Sequence, residues 1–173
     1  MKPQRNTPER PGPPEQDILI QDIAWLMEEL SELRNLIKEI PFAERPMGQE
    51  SVLDMLSMIG HASDSFFLPL VRDRKWEGDI VRDISMEFES RLKQVRLSEH
   101  EPEQLLDRLI AKRSDFLSEL ERCGSQVFQK KILLKEGEIQ VSDLLEMMVR
   151  FDRKQLKKIA ERVLAMELNR QGP

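Results

Sequence analysis

VSDLLEMMVRFDRKQLKKIAERV, residues Val141–Val163, is the stretch that decides the fold. At 3.6 residues per turn, Leu144, Met148, Ile159 and Val163 fall on one stripe, the pattern of a long amphipathic helix with a buried face. Asp152 and Gln155 lie within roughly 40° of the centre of that stripe, with Phe151 beside them. An inward carboxylate or amide needs a partner, so chemistry is sought first at this interruption.

The rest of the chain sets bounds on the answer. Its 173 residues, 39% hydrophobic and 34% charged, suit one compact domain with a single core. Scarce Gly, absent Tyr and little strict alternation point to an all-α fold class. A net charge of -5 repels a phosphate backbone, so no nucleic-acid partner is expected. Cys123 is the single cysteine, which excludes an internal disulfide. No apolar segment reaches membrane-spanning length, and the start Met1-Lys2-Pro3 lacks the apolar core of a signal peptide. The expected compartment is the cytoplasm, with no membrane partner.

Residues 1–16, with Pro3, Pro8, Pro11, Pro13 and Pro14 among charges, read as a disordered tail. Leu19, Ile23, Leu26, Leu30, Leu33, Ile37 and Ile40 then alternate spacings of four and three, a heptad seam ended by Pro41. Such a seam serves a four-helix bundle or a coiled coil between subunits, and the helices that follow favour the bundle. Ser51 can cap a second helix in which Val52, Met55, Leu56, Ile59, Ser63, Phe66, Phe67 and Leu70 share a face, with Pro69 bending or ending it. After Trp76 and Gly78, the recurrence of Ile80, Ile84, Phe88 and Leu92 predicts a short extra helix in the connection between helices 2 and 3. Pro102 opens a third long helix with Leu105, Leu106, Leu109, Ile110, Phe116, Leu117 and Leu120 inward, and Gly124 stops it. Residues 127–140 read as a connector. The last helix runs from Ser142 to about Leu168, leaving 169–173 as a C-terminal tail.

Three stretches in this order carry a resemblance. Ser51-Val52-Leu53-Asp54-Met55-Leu56-Ser57-Met58-Ile59-Gly60-His61, then Pro102-Glu103-Gln104-Leu105-Leu106 through Lys112-Arg113 to Phe116-Leu117, then Phe151-Asp152-Arg153-Lys154-Gln155-Leu156, together resemble the DinB-like family. Its members are four-helix bundles that include metal-dependent thiol transferases. The resemblance covers 17–168 and implies that domain. In the family one histidine on the second helix and a His-Asp-x-x-His element on the last supply three metal ligands. The matching positions here are Met58, Phe151 and Gln155, a soft thioether, a phenyl ring and a neutral amide, which do not make a site for zinc or nickel. A register slip of three residues would bring His61 to the ligand position, but it breaks the match at Ser51 and Asp54.

Beside the resemblance each candidate has a plainer reading. His61 falls on the outer side of its helix and His100 in a connector, so neither anchors a mechanism. Cys123 at a helix C-terminus reads as a packed or half-packed thiol. Arg150, Arg153, Lys154, Lys157 and Lys158 read as a solvated basic face. Met55, Met58, Met147 and Met148 read as core filling. Asp152 and Gln155 belong either to a structural hydrogen-bond network with Arg113 or to an altered ligand pocket with Met58 and Phe151. The expectation is a non-catalytic or divergent bundle without cofactor or metal, binding a small ligand, a protein or a second copy of itself. The alternative is a divalent-metal-dependent thiol S-transferase using His61, Asp152 and Gln155 as substitute ligands. A third possibility places the Leu19–Ile40 seam between chains.

Overall fold

The heptad seam builds α1 (Glu15–Leu36), the first element of a computed structural model that describes residues 15–74, 82–94, 101–135 and 137–170. Its N-terminus lies two residues before the expected start at Asp17. The remainder of the expected tail, and residues 171–173, lie outside the described residues. Leu19, Ile23, Leu26, Leu30 and Ile40 are buried within the one chain, so the seam is core rather than a contact between subunits. α1 stops four residues short of the expected end. The amides of Glu39 and Ile40 both turn back to the Leu36 carbonyl, at 3.0 and 2.9 Å, and this turn lets Ile40 and Phe42 both enter the core.

Ser51 caps α2 (Val52–Ala62) as its sequence suggests. Its hydroxyl accepts from the Asp54 amide at 3.0 Å, and Asp54 accepts from the Ser51 amide at 2.9 Å, closing a capping box. The helix continues through a π segment (Ser63–Phe67) into α3 (Leu68–Arg72), so Pro69 sits in the first turn after the π segment. α4 (Ile84–Leu92) is the expected short helix, while Ile80, Trp76 and Gly78 lie outside the described residues. Pro102 opens α5 (Pro102–Cys123), and Gly124, at φ 75, ends it.

The expected connector over 127–140 is more ordered than its sequence implied. A 3-10 turn (Ser125–Gln129) leads into an antiparallel hairpin, β1 (Lys131–Leu134) with β2 (Gly137–Gln140), so the fold is mostly helical rather than purely so. β2 passes without a linker into α6 (Val141–Arg170), which continues past Leu168 through the first two residues of the expected C-terminal tail. No helix among the described residues is long and apolar enough to cross a membrane.

Side-chain contacts set the helix directions. Arg34 pairs with Asp107, and Gln16 donates to the Ser125 carbonyl at 3.2 Å, so α1 and α5 run antiparallel. Asp22 meets Arg153 at 2.6 Å and Leu36 lies a few turns on beside Val163, so α1 and α6 run parallel. Gly60 lies on Leu109 and Asp64 on Lys112, so α2 is parallel to α5, and their connection carries α4. α5 and α6 approach each other backbone to backbone at few points among the described residues and face each other across the core. That core has two apolar halves. One centres on Ile23, Phe67, Phe116 and Met148, the other on Leu30, Leu56, Leu106 and Ile159.

Candidate functional site

Between the two apolar halves lies a polar layer. On α5 it falls between Leu109 and Phe116, where Arg113 points inward, and on α6 between Val149 and Leu156, where Asp152 and Gln155 do. All three are buried, with Arg113 2%, Asp152 5% and Gln155 2% exposed. The Arg113 guanidinium reaches Asp152 Oδ2 from Nη2 at 2.9 Å and lies 5.9 Å from the centre of the Phe116 ring. Burial pushes the Asp152 carboxyl up to about 6, against the opposing pull of Arg113's charge and hydrogen bond. Arg113 Nη1 and Gln155 Oε1 are buried with no hydrogen-bond partner among the described residues. Of the two sequence readings, the network with Arg113 is thus the one whose partner is in place.

Phe151 is half-buried and meets the Phe88 ring edge-on at 5.2 Å, so it joins the aromatic cluster of Phe66, Phe67 and Phe88. Met58 is half-buried on α2. His61, partly buried, bonds through Nε2 to the Arg91 carbonyl at 2.7 Å and so ties α2 to the end of α4. Cys123 is half-packed at the end of α5, and His100 lies outside the described residues. Met55 and Met148 are core, and Met147 packs partly against it.

A divalent ion does not fit this donor set. Among the described residues no three His, Cys, Asp or Glu side chains gather to hold a metal. The one buried carboxylate on the inward face of α6 already faces a guanidinium, whose fixed charge repels a cation beside it. His61's ring nitrogen is engaged at α4. What the layer can do chemically is hold charge in a dry place and fix the relative height of two helices.

The basic face of α6 is largely paired. Arg153 bonds Asp22 at 2.6 Å and stacks on Trp25, and Lys158 bonds Glu50 at 3.0 Å. Arg150 and Lys157 approach Glu146 and Glu161 at 3.6 and 3.9 Å. Sequence reasoning missed two features. Arg45 clamps Asp54 with two hydrogen bonds of 2.8 and 2.7 Å, joining the loop after α1 to the start of α2. Ile18, Trp25, Leu164 and Leu168 stand exposed along α1 and α6. The signal for the last pair was the i, i+4 spacing of Leu164 and Leu168, off the main stripe of the helix. Comparison of the chain with family models, curated proteins and solved structures finds no match.

Proposed function

We propose that this chain is a DinB-like four-helix bundle acting in the cytoplasm, in which a buried ion pair has replaced the family's metal, and that it works by binding rather than by metal-assisted thiol transfer. The observation that carries the reading is the Arg113–Asp152 contact of 2.9 Å at the centre of the core. In the family the residue before Asp152 and the one three after it would be ligands; here they are Phe151 and Gln155, and the carboxylate between them is held by a cation of the chain's own. The parallel placement of α2 and α5, with a long connection between them, supports the bundle reading, since crossover connections of this kind occur in four-helix bundles. The partner bound is a protein surface, a small ligand or a second copy of the chain.

Elemental analysis of the purified protein tests the exchange. The expected result is nickel and zinc far below one per chain. Either metal at one equivalent, lost on Asp152→Ala, restores the thiol transferase reading and overturns this one.

A further inference from the structure

The polar layer between the two apolar halves contains a donor and an acceptor that nothing answers. Arg113 Nη1 and Gln155 Oε1 have no hydrogen-bond partner among the described residues, and both side chains are 2% exposed. A charged N–H and an amide oxygen sealed from bulk solvent bear the full loss of their hydration unless something pairs with them.

The two atoms share one neighbourhood. Arg113 Nη2 stands 2.9 Å from Asp152 Oδ2, and Nη1 belongs to the same planar guanidinium. Gln155 follows Asp152 by three residues on α6, the spacing that sets side chains next to each other on one helix face. Exchanging the oxygen and nitrogen of the Gln155 amide does not help, since Nε2 is a donor and leaves Nη1 as it was.

The chemistry of the two atoms selects what joins them. Nη1 needs an acceptor and Oε1 needs a donor. A metal ion is repelled by the charge of Arg113. An anion such as chloride accepts from Nη1 but has no hydrogen to give Oε1, and the Asp152 carboxylate stands on the same guanidinium. A neutral molecule that both accepts and donates serves the two together. With no member of the layer more than 5% exposed, that molecule has to be of the smallest size.

We infer that the Arg113, Asp152 and Gln155 layer is the binding site of one internal water, which accepts from Arg113 Nη1 and donates to Gln155 Oε1. Its second hydrogen has the spare lone pairs of the Asp152 carboxylate in the same layer, which brings the water to the roughly three bonds that buried waters make. Arg113 on α5 is then tied to α6 twice, directly through Asp152 and through the water to Gln155.

Two measurements on the full chain test this. In a high-resolution crystal structure of the wild type, a single oxygen peak is expected about 2.7–3.2 Å from both Arg113 Nη1 and Gln155 Oε1. A direct contact between those atoms with no such peak, a peak too strong for oxygen, or density larger than one atom overturns the inference. In solution, magnetic relaxation dispersion counts the waters held inside a protein. The Arg113→Met, Asp152→Leu, Gln155→Leu variant, whose layer is apolar throughout, is expected to hold one fewer than the wild type at unchanged helix content. An equal count in the folded variant overturns the inference, and the crystal structure decides whether or not that variant folds. Neither measurement bears on metal content, so the internal water and the metal exchange proposed above fail separately.

Discussion

Arg113 on α5 and Asp152 on α6 meet at 2.9 Å across the core, between two helices whose backbones scarcely approach each other and at the height where one apolar half gives way to the other. A slide of either helix by one turn would separate the pair and leave two charges in a dry interior. The contact therefore sets the register of the α5–α6 diagonal, whatever it contributes to stability.

The two kinds of replacement at this contact should differ in sign. Asp152→Ala strands a buried guanidinium and is expected to cost about 3–5 kcal/mol. The double variant Arg113→Met, Asp152→Leu removes both charges and is expected to be neutral or more stable, by up to about 4 kcal/mol. Urea unfolding of the three proteins checks this; a double variant weaker than Asp152→Ala would contradict it.

Asp152 also leaves a mark on the pH dependence of stability. Its folded value of about 6 lies above the roughly 3.9 of an unfolded aspartate. Between those values the folded state holds a proton that the unfolded state has lost, so this group's contribution is greatest below about pH 4, declines as pH rises to about 6, and is flat above. Thermal melts of wild type and the Arg113→Met, Asp152→Leu variant across pH 4 to 7 should differ by a slope of that sign. Parallel profiles would show that Asp152 does not titrate there.

At the start of α2 the sign reverses. Burial pushes the Asp54 carboxyl up, but hydrogen bonds from Arg45 and from the amide and hydroxyl of Ser51 outweigh it and hold Asp54 below the usual carboxylate range. Its contribution is fully present above the unfolded value and is lost as pH falls through the folded one. Ser51→Ala is expected to cost about 1 kcal/mol at neutral pH. Asp54→Asn should flatten the acid limb of the stability profile; an unchanged limb would show that the Arg45 clamp contributes nothing.

Gly60 has no room for a side chain. A Cβ there would stand 2.6 Å from Leu109 Cδ2, and Leu109 is itself buried. Gly60→Ala gains about 0.5–1 kcal/mol of helix propensity but overpacks at a cost of about 1–3 kcal/mol. The net expectation is a loss of about 1 kcal/mol, recovered in part by adding Leu109→Val, as differential scanning calorimetry would show. A more stable Gly60→Ala would mean that Leu109 turns aside freely.

Helix order was legible in this chain because apolar spacing and end signals agreed: Ser51, Pro102 and Gly124 all stand at helix termini. The inward placement of Asp152 and Gln155 was legible from angle alone. The hairpin was not, because strands of four residues leave too few positions to show a period of two, and Lys131-Ile132-Leu133-Leu134 reads equally as helix or strand. The early end of α1 was hidden for a related reason, since Ile37 and Ile40 keep heptad spacing through a turn. Val71 was missed on the second helix: at 100° per residue it falls a quarter-turn from the stripe, yet it is wholly buried.

The π segment Ser63–Phe67 explains that burial and carries a consequence for how this chain could evolve. One residue more than an α-turn needs sets everything after it back by about 100°, which returns Val71 to the interior. Loss of a single residue from that stretch would leave an unbroken helix of normal geometry with its last turn still facing the hydrophobic interior, because the residue removed is the one the wide turn absorbs. A one-codon deletion here would be accommodated much as a shortened loop is, whereas the same deletion within the regular turns of α2 would rotate everything after it and turn Val71 away from its neighbours.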